Sequence, residues 1–171
     1  MEEEAWIEVQ NGDLVLGEVH QHTARLELSS LEADCSYCIV AHTQPGTDFR
    51  SSVTRFRTAI GTDDWRIVTF AVTSCFGGNR PFPSLSHVAQ LPIDFVCYLG
   101  DLVYADGSET AEEYWWHWRR TLSQSGMRDL NAAASMIAAW DDHEFTDNFN
   151  PAQTVNASTI FELGRSSFRR A

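Results

Sequence analysis

At 171 residues the chain is long enough for about one domain, or a modest domain with a small appendage. An apolar fraction of 43% and six Trp supply material for a core and exclude wholesale disorder. The net charge is −12 and all twelve basic residues are Arg, a balance that repels phosphate backbones and argues against a general nucleic-acid binder.

The start, "MEEEAWIEVQ", is acidic and lacks the basic opening and apolar centre of a secretory signal. No apolar run approaches membrane-spanning length. As written, the chain is therefore expected to be soluble and cytoplasmic, with no membrane partner. The acidic, Lys-free composition most simply reflects genome composition or a salty habitat, although it also suits a protein that holds cations.

Residues 5 to about 60 look all-β. "DLVLGEV", "TARLEL", "CSYCIVA" and "VTRFRTA" are short runs with partial period-2 alternation, separated by the turn formers "NGD", "SSLEAD" and "TQPGTDF". Four Cys (Cys35, Cys38, Cys75 and Cys97) are too few and too scattered for a disulfide scaffold. The CxxC pair in "CSYC" has no second pair to complete a zinc site, and it lies inside a strand-like run rather than at the helix start that a thioredoxin-like motif needs.

After "IGTDDW" the rhythm changes. "RIVTFAVTSC" (66–75) is nearly continuous in apolar residues, as for a strand buried on both faces. "PSLSHVAQL" reads as a short helix, "IDFVCYLGD" (93–101) as a second buried strand, and "SETAEEYWWHWRRTLSQS" as a helix opened by the capping-box pair Thr110 and Glu113. "GMRDLNAAA" is a further helix and "SMIAAWDDHE" a third buried strand. Strand, helix, strand, helices, strand is the signature of an α/β unit with a parallel sheet.

The three core strands end at Cys75, at Asp101, and at Asp141 and Asp142. Carboxyl ends of neighbouring parallel strands face one crevice, so a thiol and three carboxylates are delivered to one sheet edge. Like charges repel strongly away from water, and a bound cation is the natural compensation. Asp101 can bridge two cations through its two oxygens. Tyr104, one turn on, can join as a phenolate, which ferric iron favours, and a Cys75 thiolate prefers a borderline or soft metal. The Asp-rich third end favours a hard ion such as Ca²⁺, Mg²⁺ or Mn²⁺. His143 is placed to contact a bound anion or give a proton to a leaving group. Two metals a few ångströms apart clamp a phosphate and generate hydroxide.

Blander roles fit other residues. Cys97 is a small apolar filler, Trp115 and Trp118 share a helix face and read as core, and the remaining His residues are solvated or packed. Tyr104 alone would more commonly cap the core with its ring. Two competing motifs fail on spacing. "CFGGNR" has four residues between Cys75 and Arg80 where the anion loop of cysteine-dependent phosphatases needs five. "LVYADGSETAEE" places Leu102 and Tyr104 at the first two ligand positions of an EF-hand-type loop, where neither coordinates Ca²⁺ as that loop requires.

"FAVTSC", "IDFVCYLGDLVYAD" and "MIAAWDDHEFTDN", in that order and spacing, closely resemble the PhoD-like alkaline phosphatases, a metallophosphatase group that includes phosphodiesterases. The Gly-Asp-x-x-Tyr element is also similar to that of purple acid phosphatases. The resemblance implies a partial metallophosphatase α/β sandwich over 63–171, preceded by a shortened fibronectin-like β domain over 1–62. It implies Cys75, Asp101 and Tyr104 as ligands of a ferric site, with Asp101 bridging to a second, Ca²⁺-like ion held in part by Asp142. Asp141 and Asn148 are secondary candidates nearby, and His143 matches the motif histidine that faces the phosphate. The substrate implied is a phosphate ester. The family normally continues past the position of Ala171 with further Asp and His motifs that have no counterpart here. That departure leads to the expectation of an exposed apolar sheet face prone to self-association, and to an alternative function as an inactive remnant or a subunit needing a complementary chain.

Overall fold

The computed structural model describes residues 8–13, 23, 26–42, 50–78 and 80–171. Two compact units divide the chain, Met1–Glu32 and Ala33–Ala171. In the first, the Asn11 side-chain amide donates to the Glu8 carboxylate at 2.6 Å. Of the strand expected at 13–19 only Asp13 is described, whereas Thr23 and Leu26 to Leu28 of the strand expected at 23–28 are described and form no strand.

The second unit opens with a small antiparallel sheet, β1 (Ser36–Ile39) against β2 (Thr54–Arg57). Aromatic side chains face each other across this pair, Tyr37 opposite Phe56 with stacked rings 5.5 Å apart. Cys38 lies within β1, and among the described residues no disulfide joins any of the four cysteines. Among the described residues neither Cys35 nor Cys38 belongs to a metal-ligand cluster. The turn before β1 is tied to the α/β region through Arg66. Its guanidinium reaches Asp34 at 2.6 Å and Asp94 at 2.7 Å, and Arg57 also meets Asp34 at 2.9 Å. These hydrogen-bonded guanidinium groups hold the carboxyls of Asp34 and Asp94 below the usual carboxylate range.

The α/β region then runs β3 (Phe70–Thr73), α1 (Pro83–Val88), β4 (Phe95–Leu99), α2 (Ala111–Leu122), α3 (Ser125–Ala133), β5 (Ser135–Ala139) and α4 (Ala157–Phe168). The three strands form a parallel sheet in the order β3-β4-β5, with Phe70 beside Phe95 beside Ser135 and Thr73 beside Tyr98 beside Ala138. Pro83 opens α1, where its missing N–H is not needed and its fixed φ suits the first turn. At the head of α2 the Thr110 hydroxyl accepts from Glu113 N, while the Glu113 carboxylate accepts from Thr110 N at 2.9 Å, completing the capping box.

Lateral neighbours in a parallel sheet point to the same side, so alternate residues divide the sheet into two faces. One face carries Val96 and Tyr98, which are buried with Leu85, Trp115, Trp118, Met127 and Leu130 of the helices. Burial pushes the Tyr98 phenol up to about 12, and its hydroxyl is satisfied by Asn131 at 2.9 Å. Helix α4 packs on α2, where Trp118 Nε1 donates to Ser167 Oγ at 3.2 Å. The other face carries Phe70, Val72, Phe95, Cys97, Leu99 and Ile137. Of these, Phe70 and Val72 are each 51% exposed, and Leu99 and Ile137 each 58%.

The core strands are thus shorter than the apolar runs suggest, and they are buried on one face instead of two. The reason is that no described element covers the second face, so only the helical side removes apolar surface from water. The unit is mixed α/β with small sheets. Among the described residues no helix is long and apolar enough to cross a membrane.

Candidate metal and catalytic site

Each parallel strand hands over to a loop at the same end of the sheet, and these loops are bonded to one another. Cys75 N donates to Gly100 O at 3.3 Å, Phe76 N to Asp101 O at 2.8 Å, and Ala105 N to His143 O at 2.9 Å. At this edge the backbone leaves its ordinary conformations, with Cys75 at φ 62° and Asp101 at φ 55°. A left-handed backbone in a non-glycine residue is sparsely populated and persists only where its surroundings over-determine it. Gly100, at φ 104°, precedes Asp101, and a Cβ there would lie 2.6 Å from Asp141 Cβ. Only glycine lets the β4 and β5 ends approach this closely.

The predicted donors converge. Cys75 Sγ and the Tyr104 hydroxyl each lie 3.4 Å from Asp101 Oδ2. Asp101, Asp142 and His143 each offer a ligand atom, all within 4.8 Å of one another. Asp101 itself is buried, yet among the described residues its Oδ1 finds no hydrogen-bond partner. An ionised oxygen without a partner is costly away from water. A donor set of thiol, phenol, carboxylates and imidazole around that oxygen has the chemistry of a metal site.

Around this centre the side chains brace one another. The Tyr104 ring stacks on the His143 imidazole, with centroids 3.9 Å apart, rather than packing into the core. Burial pushes the Tyr104 phenol up to about 12, helped by the nearby Asp101 and Cys75, so without a cation it stays protonated. His143 Nδ1 meets Asp106 at 2.8 Å, and its Nε2 lies 3.8 Å from Asp147. Burial alone would lower the His143 pKa. The Asp106 hydrogen bond, with the charges of Asp106, Asp101 and Asp142, reverses this, and the imidazole is held above its ordinary value.

Asp142 lies beside Asp101, and its Oδ2 accepts from Asn148 N. Asn148 is thereby placed at the rim of the site, itself at φ 55°. The Asp141 side chain is exposed and, among the described residues, lies outside the Asp101–Asp142–His143 group. Its backbone N–H points inward instead, to Glu144 Oε2 at 2.8 Å.

Two residues were not singled out from the sequence. Glu144, fully buried, accepts from the backbone N–H groups of Asp101, Leu102, Val103 and Asp141. Desolvation raises its pKa, partly offset by those four donors. Its signal was the acidic residue at the close of "WDDHE", hidden by reading that run as the end of a strand. Asp106 orients His143 from a loop that reads only as the turn "ADG".

A family model described as PhoD-like phosphatase matches residues 70–170, well over half of the chain. The chain belongs to the PhoD-like phosphatase family. The match spans all three strand ends and every site residue named above. The fold of the PhoD-like chain agrees with that of a solved structure of PhoD, at a TM-score of 0.80 and 19% identity. The superposition covers 91% of this chain and 34% of the PhoD chain, so the chain spans about a third of the length of that protein. No curated protein matches the sequence.

Proposed function

We propose that this PhoD-like chain carries part of a metal-dependent phosphoester hydrolase, acting on phosphate monoesters or diesters through a two-metal site. The observation that carries the reading is the buried, unpartnered Asp101 Oδ1 at the centre of the donor cluster. Cys75, Asp101 and Tyr104 would hold a ferric ion. Asp101 would bridge to a Ca²⁺-like ion held by Asp142, with Asp141 and Asn148 at its margin and other divalent metals able to substitute. Bound there, the cations would polarise a phosphoryl oxygen and lower the pKa of water.

The chain's own groups supply the rest. Asp106 engages His143 Nδ1, which leaves Nε2 as the atom able to carry a proton toward a departing oxygen. Stacking on Tyr104 fixes the plane of that imidazole. We read residues 1–62 as a shortened fibronectin-like β domain and 63–171 as the N-terminal half of a metallophosphatase sandwich; the bare apolar sheet face supports the second assignment.

That same bare face, with the span of about a third of PhoD, favours one second reading: a catalytically silent chain, or a subunit completed by a complementary chain. The test is to load the purified chain with Fe³⁺ and Ca²⁺ and follow both metal uptake and hydrolysis of a chromogenic phosphodiester. Metal-dependent turnover, however slow, that disappears in Asp101→Asn supports the hydrolase. Iron uptake with a visible tyrosinate band that is lost in Tyr104→Phe, but no turnover, supports the silent reading. Absence of any metal uptake overturns the hydrolase reading for this chain and leaves the silent one.

A further inference from the structure

Glu144 lies fully buried at this edge, and the hydrogen bonds its carboxylate accepts come from the main chain. Its four partners are backbone N–H groups from two loops. Oε2 accepts from Asp101 at 3.0 Å and Asp141 at 2.8 Å, and Oε1 from Leu102 at 2.5 Å and Val103 at 3.3 Å. An ionised carboxylate offers about four acceptor positions, and here all four are used. None is left for a metal, so Glu144 is not a ligand.

We infer that Glu144 is a positioning residue that clamps the loops after β4 and β5 together and so fixes the separation of Asp101 from Asp142 and His143. The argument is geometric. Once Asp101 turns into the left-handed region, its N–H and the next two point away from the sheet ladder and need another acceptor. A backbone carbonyl serves two donors at most, whereas one carboxylate serves all three and reaches Asp141 N as well.

The clamp is itself held from behind. A Cβ on Gly164 of α4 would lie 2.7 Å from Glu144 O, so the helix backbone seats directly against it. Two covalent links away lies Asp142, and one away His143. Whatever fixes Glu144 therefore fixes both donors against Asp101. The inference rests on the metal-site reading for its consequence, but the clamp is testable without it.

The experiment compares the chain with Glu144→Gln, using Mn²⁺ as the probe ion and amide hydrogen exchange as the metal-free readout. A Gln amide has one acceptor oxygen and turns an NH₂ toward the other two donors. Exchange should therefore accelerate by about tenfold or more at one pair, Leu102 with Val103 or Asp101 with Asp141. Loss of a group that orients ligands typically weakens metal binding about 10–100-fold, and that fall is expected at a temperature where the variant remains folded. A stability loss alone would leave Mn²⁺ affinity of the folded variant unchanged.

Equal Mn²⁺ affinity, or equal exchange at all four amides, overturns the inference. If the unaltered chain takes up no Mn²⁺, the metal reading fails and exchange alone decides the clamp. If Glu144→Gln does not fold, the unaltered chain decides: the four amides should exchange at least about a hundredfold more slowly than those of the exposed Asp106–Gly107 turn. Comparable rates would sink the clamp.

Discussion

Gly100, at φ 104°, hands the chain to Asp101 at φ 55°, and Asp141 Cβ stands 2.6 Å from where a side chain on Gly100 would begin. Gly100→Ala meets both penalties, a backbone conformation that L residues avoid and a contact with main chain that cannot swing aside. A loss of about 2–4 kcal/mol in folding stability is expected, read from the urea midpoint. A loss below about 0.5 kcal/mol would mean that the two loops separate easily. The Asp106–His143 pair makes a pH prediction. His143 in the folded chain titrates above its ordinary value, so it binds a proton more tightly folded than unfolded. Its stabilising effect is therefore fully present below about pH 6.5 and is lost as pH rises through the raised folded value. In Asp106→Asn the largest favourable partner is gone while burial remains, so the imidazole midpoint, followed by NMR in the metal-free chain, should fall. An unchanged midpoint would show that Asp101 and Asp142 alone set the shift.

Helix α2 shows how much of an element can be read in advance. Thr110 and Glu113 have the capping-box spacing, and both hydrogen bonds are formed. Trp115 and Trp118 share a face that is buried. Each follows from local geometry, which sequence spacing encodes directly. Thr110→Ala should cost about 1 kcal/mol, measured by thermal melting, with the site untouched. If the melting temperature does not move, Glu109 N and Thr110 N already satisfy the Glu113 carboxylate without the hydroxyl. The strands were less legible. Trp65 and Ile67 precede β3 and are almost fully exposed, although the apolar run includes Ile67 without a break. A continuous apolar run states that a strand is meant to be covered on both sides, but it does not say by which element. The site divides in the same way. Cys75, Asp101, Tyr104 and Asp142 were visible because each sits at or just beyond a strand end, where parallel topology brings them together. Glu144 and Asp106 were hidden because their roles depend on partners about forty residues away, Asp101 to Val103 for one and His143 for the other.

At the scale of the molecule, one face of the central sheet decides how the chain behaves. Phe70 and Phe95 stack at 5.0 Å on that face, and Val72, Leu99 and Ile137 extend it across all three strands. A contiguous apolar surface of this kind is a site of association unless covered. It lies on the same sheet whose strand ends carry Asp101 and Asp142, so the support of the donor cluster is one-sided. Catalysis by a metal pair needs ligands held to within about half an ångström by rigid surroundings. Among the described residues the converging donors are Cys75, Asp101, Tyr104 and Asp142, and even with His143 counted these five are too few to saturate two ions of the coordination numbers that Ca²⁺ and iron adopt. The 171-residue chain alone is therefore expected to turn over a chromogenic phosphodiester well below about 1 s⁻¹, an ordinary enzyme rate. It should also self-associate, visible in sedimentation as concentration-dependent species. The double substitution Val72→Thr with Ile137→Thr keeps β-branched shapes in the strands while removing apolar surface, so it should shift sedimentation toward monomer and leave metal uptake unchanged. Turnover at or above about 1 s⁻¹ in the monomeric variant, abolished by Asp101→Asn, would show that the five donors suffice and that the uncovered face has no bearing on catalysis.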